Sequence, residues 1–166
     1  MKETNSKARM QKYQPDILIA MFRMAATLRN EMLAAGFADN GGAIHSAERI
    51  LNILGMALNY PELTHINNLR HSKRATFSME ALELHKKGDR VLIEHVSPLR
   101  DLTRKAIKKN NPQVSEAQFK VFIRKRFKLV LLSPAETQRL NRLNRTKMHP
   151  HRLKQAAIQV AMLSVE

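Results

Sequence analysis

The chain contains no cysteine and no tryptophan among its 166 residues, and aromatic residues make up only 5% of it. The absence of cysteine excludes disulfide bonds, thiolate nucleophiles and zinc sites built on cysteine, and it fits a cytoplasmic protein. Apolar residues nevertheless reach 43%. A core with so few aromatic rings must be built from Leu, Ile, Met and Ala, which favours a mainly helical fold.

Long uncharged apolar runs are also missing. No stretch approaches the roughly 20 apolar residues that a membrane-spanning helix needs, and the segment from Met1 to Gln14 is polar, without a signal-peptide run. We therefore expect no membrane partner. The length suits a single domain, and we predict a flexible basic arm at residues 1–13 followed by one mostly helical domain at residues 14–166.

Acidic residues are scarce: 14 Asp and Glu oppose 29 Lys and Arg, giving a formal net charge of +15. The excess grows along the chain, because residues 111–166 carry eleven basic and only three acidic side chains. Such a charge favours a polyanionic partner, and nucleic acid is the leading prediction. The alternative is a basic surface that docks an acidic or nucleic-acid-loaded protein.

Apolar residues recur at helical spacing through most of the sequence. The first such helix begins at Pro15, ends before Gly36, and is predicted to turn one apolar stripe toward the core: Ile17, Met21, Met24, Ala25, Leu28 and Met32. Ile19 and Phe22 widen this stripe. In the second, the inward positions are Ile44, Ala47, Ile50, Leu51, Leu54 and Leu58. Further helices are predicted at about 61–70, 78–86, 98–109, 115–127, 135–143 and 152–164.

Two short apolar segments interrupt the helical pattern and indicate strands, at about 90–96 and 128–132. Each strand ends at a Ser-Pro pair, a strong signal for the start of a helix, and Ser115 with Gln118 and Ser133 with Glu136 form capping-box patterns. About 30 mostly helical residues connect the strands. Such a connection favours a parallel pair, so we predict a mainly α (α+β) fold with residues 90–96 as the central strand.

The first strand places an acid beside a histidine at Glu94 and His95. Neighbouring strand residues face opposite ways, so one of the two side chains is expected to need a partner inside the protein. The structural interpretation is a hydrogen-bonded pair at a strand end, with Arg74 or Arg90 as the partner. The catalytic interpretation is general-base chemistry, because imidazole titrates near neutral pH.

The run Glu-His-Val-Ser-Pro at residues 94–98 resembles the first strand of HNH-type (ββα-metal) nucleases. The resemblance covers about six residues of the chain. It implies that Glu94 would bind a divalent metal, Mg²⁺ or Mn²⁺, and that His95 would activate water as the general base. His149 would then supply the later histidine of the site.

Two further resemblances point in different directions. Arg145 and His151 are spaced in a way similar to the arginine–histidine ribonuclease motif of all-helical HEPN domains, with Pro150 between them. The whole chain resembles small basic bacterial or phage-borne proteins, a class that implies a phage or mobile-element origin but no particular activity.

Non-enzymatic nucleic-acid binding needs only the basic side chains of the C-terminal half. Phosphate contacts of this kind give affinity without sequence choice, and neither a helix-turn-helix pattern nor an aromatic platform for single strands is evident. The residues predicted to contact nucleic acid are Lys73, Arg74, Arg100, Arg104, Lys105, Lys108, Lys109, Arg124, Lys125, Arg126, Arg142, Arg145 and Lys147.

Overall fold

The computed structural model describes residues 14–110, 113–143 and 151–161. The described chain is mainly helical, as the composition predicts, and contains one small sheet. The predicted basic arm at residues 1–13 lies outside the described residues. In chain order the elements are α1 (Pro15–Ala34), α2 (Ala43–Asn59), a 3₁₀ helix (Ile66–His71), α3 (Met79–Lys86), β1 (Leu92–His95), α4 (Leu99–Lys109), α5 (Glu116–Arg126), β2 (Leu129–Leu132), α6 (Pro134–Leu143) and α7 (Arg152–Gln155).

The two predicted capping boxes are confirmed by their hydrogen bonds. At α5 the Gln118 amide nitrogen donates to the Ser115 hydroxyl over 3.2 Å, and the Ser115 amide donates to the Gln118 side chain over 3.1 Å. The same reciprocal pair forms at α6 between Ser133 and Glu136. These local exchanges satisfy backbone donors that a helix start otherwise leaves without partners.

The two strands pair antiparallel, with Leu92 opposite Leu132 and His95 opposite Leu129. The prediction of parallel strands is therefore wrong. A parallel pair follows when a single helix returns the chain to the starting end of the sheet. Here two helices, α4 and α5, separated by residues 110–115, fill the connection, so the single-helix crossover is absent.

The central position belongs to β2 and not to β1, which corrects a second expectation. All four residues of β2 are buried, whereas those of β1 are half-buried. On the side away from β1, the segment around Phe77 runs parallel to β2: the Leu131 amide donates to the Thr76 carbonyl over 2.8 Å, and the Ser78 amide donates to the Leu131 carbonyl over 2.9 Å. Ser78 in turn bridges antiparallel to Val160.

Two predicted helices differ in form. The segment expected to be helical at 61–70 is a short 3₁₀ helix, Ile66–His71. In the last segment only Arg152–Gln155 is helical among the residues described; Ala157 then adopts a left-handed conformation with φ of 54°. Residues 158–161 continue in an extended form and join the segment around Phe77, because the Ala161 amide donates to the Phe77 carbonyl over 2.7 Å.

The chain divides into two compact units. Unit 1 comprises Met1–Pro61 and Leu99–Arg126, and unit 2 comprises Glu62–Pro98 and Phe127–Glu166. Their described residues are considered separately below, and the expectation of a single domain at 14–166 stays a prediction.

In unit 1, α1 and α2 pack against each other, and α4 and α5 pack against α2. The inward face predicted for α2 is confirmed, since all of its predicted positions except the half-buried Ile50 are buried. The stripe predicted for α1 is wrong at four positions, because Met24 is 73% exposed, and Ile17, Met21 and Leu28 are also exposed. Ala25 and the widening positions Ile19 and Phe22 are buried as predicted. The buried residues of α1 are Leu18, Ile19, Phe22, Ala25 and Ala26.

A ring contact explains which face of α1 is buried. Phe22 is fully buried, and its ring centre lies 5.5 Å from that of Phe119 on α5. Since α1 is apolar on more than one face, helical spacing alone does not select between them. An aromatic ring removes more apolar surface from water than a flexible methionine does, so the face with the phenylalanine is the buried one.

In unit 2 one buried hydrophobic cluster consists of Val130, Leu132, Leu140, Ala156 and Ile158. Beside it lies a buried polar network that joins the starts of α3 and α6. Ser78 and Ser133 are the N-cap residues of these helices, and each donates its hydroxyl proton to a glutamate of the other helix. The Ser78 oxygen lies 2.5 Å from Glu136 Oε2, and the Ser133 oxygen lies 2.7 Å from Glu80 Oε1.

Candidate nucleic-acid interface

The basic residues of α4 and α5 lie on the outward faces of two amphipathic helices of unit 1. In α4, Leu102, Ala106 and Ile107 are buried; in α5, Phe119 and Ile123 are buried. Helical spacing then places the intervening cations outward. Six residues predicted to bind nucleic acid are exposed and form no ion pair with any described residue: Lys105, Lys108, Lys109, Arg124, Lys125 and Arg126.

Two further residues of that predicted set, Arg100 and Arg104, are instead held by acidic residues within unit 1. The Arg100 guanidinium pairs with the Glu48 carboxylate through both Nε and Nη2, the latter over 3.1 Å. Arg104 Nε lies 3.2 Å from Asp39 Oδ2. Both arginines occupy the N-terminal half of α4, so the cations that remain without an acidic partner among the described residues lie toward its C-terminal end.

Asp39 shows how strongly these pairs favour the ionised carboxylate. The hydrogen bond from Arg29, assisted by Arg104, lowers the pKa of Asp39 to about 2. The carboxylate of Asp39 is therefore ionised near neutral pH. Its single negative charge is shared between Arg29 and Arg104, so Arg104 is held by an acidic partner while the three groups together keep one net positive charge.

The remaining residues predicted to bind nucleic acid lie elsewhere. Lys73, Arg74 and Arg142 belong to unit 2 and are exposed. Arg74 Nε is 3.7 Å from Glu62 Oε2, a loose surface ion pair. Arg145, Lys147 and His149 lie outside the described residues. The predicted basic half is thus divided between two units, and among the described residues unit 1 gathers six unneutralised cations on adjacent helices.

Glu94 and His95 contact a buried arginine that sequence analysis did not identify. Arg152 is 8% exposed; its Nη2 lies 3.4 Å from Glu94 Oε2 and donates to the main-chain carbonyl of His95. The Glu94 carboxylate thus pairs with Arg152, whereas Arg74 or Arg90 was the expected partner. Arg152 is 58 positions from Glu94, in a segment that no local pattern connects with β1.

The pKa values of this pair reflect its burial. Burial, and after it the positive charge of Arg152, lowers the pKa of His95 from 6.5 to about 4. Burial raises the pKa of Glu94 above its ordinary value, although Arg152 opposes the shift. The His95 ring also packs edge-on against Phe127, with ring centres 5.4 Å apart. At neutral pH the imidazole is uncharged and a much weaker base than a free histidine.

The described residues do not fit the divalent metal that the HNH resemblance implies. A guanidinium beside Glu94 would repel a second cation at the same carboxylate. In residues 14–110, 113–143 and 151–161 no group of three or more His, Asp or Glu side chains is arranged to hold a metal ion. The geometry at this strand end is that of a half-buried ion pair between Glu94 and Arg152.

A second feature missed in the sequence lies on α5. The guanidinium carbon of Arg126 stands 4.9 Å from the centre of the Phe122 ring, a cation–π contact. A phenylalanine followed four residues later by an arginine on a helix is the signal that could have revealed it, since such residues are neighbours on the helix surface.

No family model, no curated protein sequence and no solved structure matches this chain. The HNH resemblance accordingly stays a prediction. Within the described ranges, no helix has the length and apolar character to cross a membrane.

Proposed function

We propose that this protein binds nucleic acid through the exposed basic side chains of α4 and α5. The observation that carries the proposal is the set of six cations on these helices that no described acidic residue neutralises, while Arg100 and Arg104 beside them are ion-paired. Like charges gathered on one surface repel each other and do not help folding. A polyanion would relieve that repulsion on binding.

The expected chemistry is neutralisation of phosphates. Each lysine or arginine that neutralises a phosphate releases condensed counterions, so affinity falls steeply as salt rises. Six neutralised phosphates correspond to a slope of about −5 for log K against log salt on duplex DNA and about −4 on a single strand. Such binding includes no base readout, so the duplex sequence should matter little.

Fluorescence anisotropy with a labelled duplex of about 20 base pairs, over about 50 to 200 mM salt, tests the proposal. A variant carrying Lys108→Glu and Lys125→Glu should bind roughly 100-fold more weakly at low salt, because two cations that attract phosphates become two anions that repel them. A matched control carrying Lys87→Glu and Lys154→Glu changes the net charge equally but in unit 2. It should change affinity by less than about threefold.

Two results would contradict the proposal. One is the absence of binding at low salt, which would favour the acidic-protein interpretation of the basic surface. The other is an equal loss of affinity in both variants, which would mean that net charge and not the α4–α5 surface governs binding.

We expect binding without cleavage. The Glu94 carboxylate is paired with Arg152, and the lowered pKa of His95 makes it a poor general base near neutral pH. Incubation of plasmid DNA and RNA with Mg²⁺ or Mn²⁺, and separately with EDTA, checks this expectation. Metal-dependent cutting that disappears in His95→Ala would instead assign Glu94 and His95 the nuclease roles.

A further inference from the structure

A column of aromatic side chains runs from the core of unit 1 to its surface. The ring of Phe22 contacts that of Phe119 at 5.5 Å, and Phe119 and Phe122 lie 6.4 Å apart with their planes inclined by only 17°. Arg126 caps the column over Phe122. The side chains change from buried at Phe22 and Phe119 to exposed at Arg126, so a planar cation at the surface rests on rings fixed in the core.

Phe122 also lines an open groove of about 650 Å³ at the start of α5, within the range of roughly 300 to 1,000 Å³ typical of ligand sites. Lys109, the last residue of α4, lies along this groove, as do the side chains of Gln113, Gln118 and Val121. A cation, two residues with side-chain amides and an apolar surface thus line the groove, and the guanidinium of Arg126 lies over the ring of Phe122, which is one of the lining residues.

We propose that this groove binds an unpaired stretch of single-stranded nucleic acid, with one base stacked on the Arg126–Phe122 pair. The inference rests on the proposed function of α4 and α5 and specifies its ligand. Charge complementarity selects the occupant, because Lys109 and the exposed cations of α5 match a phosphate backbone. Bases stack on aromatic rings and on arginine planes only when they are unpaired, whereas a duplex offers this surface only its phosphates.

Different residues of the groove contact different parts of the nucleic acid. Lys109 contacts a phosphate as a point charge. Val121, which is 61% exposed, offers an apolar contact beside the ring. An acidic peptide would satisfy the cations but would leave the planar stack without a planar partner.

The test compares Arg126→Lys with Arg49→Lys. Arg126→Lys keeps the charge and removes the planar group that stacks, because a lysine ammonium is compact and not planar. Arg49 is an exposed arginine of α2, outside the groove, so Arg49→Lys makes the same chemical change elsewhere. The probes are labelled oligo-uridine and oligo-thymidine of about 12 nucleotides and a duplex labelled in the same way, so that the RNA and DNA arms are separate.

Arg126→Lys should weaken binding of at least one single strand by about fivefold or more, the lower end of the loss for one stacked base. The ratio of single-strand to duplex affinity should fall as well. The slope of log K against log salt should stay the same, because the substitution keeps the charge. Phe122→Leu, which removes the ring and keeps an apolar side chain, should lower the same ratio. Circular dichroism melts of each variant ensure that the folded protein is compared.

The outcomes separate this inference from the proposed function. If the wild-type protein binds duplex and single strands, and Arg126→Lys and Arg49→Lys behave alike on both single strands, the groove inference is overturned and the phosphate-binding surface stands. Loss of duplex and single-strand binding in equal proportion in Arg126→Lys also overturns it. If the wild-type protein binds neither form, both proposals fail.

Discussion

The buried polar side chains of unit 2 and the exposed cations on α4 and α5 of unit 1 have opposite environments. In unit 2 the carboxylate of Glu136 and the guanidinium of Arg152 are buried, and hydrogen bonds hold both of them inside the fold. In unit 1 the ammonium groups of Lys108 and Lys109 stand at the surface, without an acidic partner among the described residues.

This difference distinguishes polar groups that support folding from those that are available for binding. A buried polar group with its hydrogen bonds made stabilises the native state, and removing one partner exposes the full cost of burying the other. An exposed cation without a partner contributes little to stability, and several together oppose compaction. Substitutions of the buried polar groups of unit 2 should therefore change the free energy of unfolding, and those of the α4 and α5 cations without a described acidic partner should change affinity.

The largest effect is expected at Glu136. Its carboxylate accepts hydrogen bonds from the Ser78 hydroxyl and from the Ser133 amide, all in buried surroundings. Glu136→Ala leaves both donors without their acceptor, so the free energy of unfolding should fall by about 3 kcal/mol. Urea denaturation measures it, with Gln138→Ala as the exposed control on the same helix. A loss below about 1 kcal/mol would show that water replaces the carboxylate at little cost.

Substitution of Arg152, which contacts β1, should lower the free energy of unfolding somewhat less. Arg152→Met leaves the Glu94 carboxylate, whose side chain is 23% exposed, without its cation. We expect a loss of about 2 kcal/mol, below that of a fully buried pair because water still reaches Glu94. Adding Glu94→Gln should recover part of the loss in a double-mutant cycle. Lys154→Met, on the same short helix but exposed, is the control. Equal stability of the two methionine variants would refute a structural role for Arg152.

The free energy of unfolding should depend on pH because the pKa of His95 is lowered in the folded protein. A histidine whose folded pKa is about 4 and whose unfolded pKa is 6.5 adds stability above pH 6.5 that is lost as the pH falls toward 4. The full shift corresponds to about 3 kcal/mol. Glu94 opposes this trend, since its raised pKa adds stability at low pH that is lost as the pH rises through that pKa. The net change should be roughly 1 to 2 kcal/mol.

Urea denaturation between pH 4 and pH 7 measures this change. His95→Gln should flatten the curve in that window, because the substituted side chain does not titrate. His151→Gln removes an exposed histidine and should leave the curve as it is. An unaltered curve in His95→Gln would mean that another group produces the pH dependence.

Local sequence signals predicted the helix starts and the outward cations well. A serine followed three residues later by Gln or Glu forms its hydrogen bonds within one turn, so Ser115 and Ser133 needed no knowledge of the rest of the chain. The exposure of Lys105 and Lys108 likewise follows from the positions of Leu102 and Ile107 on the same helix.

Features that depend on distant contacts were not predictable in this way. The direction of β1 relative to β2 depends on how the chain returns after two helices, and the buried face of α1 is decided by Phe119. The pairing of Arg100 with Glu48, 52 positions away, is not encoded in any local spacing. The sequence therefore predicted which side chains are basic and exposed, but not which of them form ion pairs with acidic residues of the protein.

That distinction can be tested within α4 itself, where the smallest effect is expected. Lys108→Ala with Lys109→Ala should weaken duplex binding about tenfold at low salt and reduce the slope of log K against log salt by about two, one for each phosphate that no longer has its lysine. Arg100→Gln with Arg104→Gln removes the same number of charges from the same helix. Because Glu48 and Asp39 hold those arginines, this second variant should leave the slope almost unchanged, although its affinity falls slightly with the net charge. Salt titrations of the two variants by anisotropy, on the same duplex, decide between them. If both slopes fall by two, the arginines exchange their carboxylates for phosphates on binding, and the interface extends along the whole of α4.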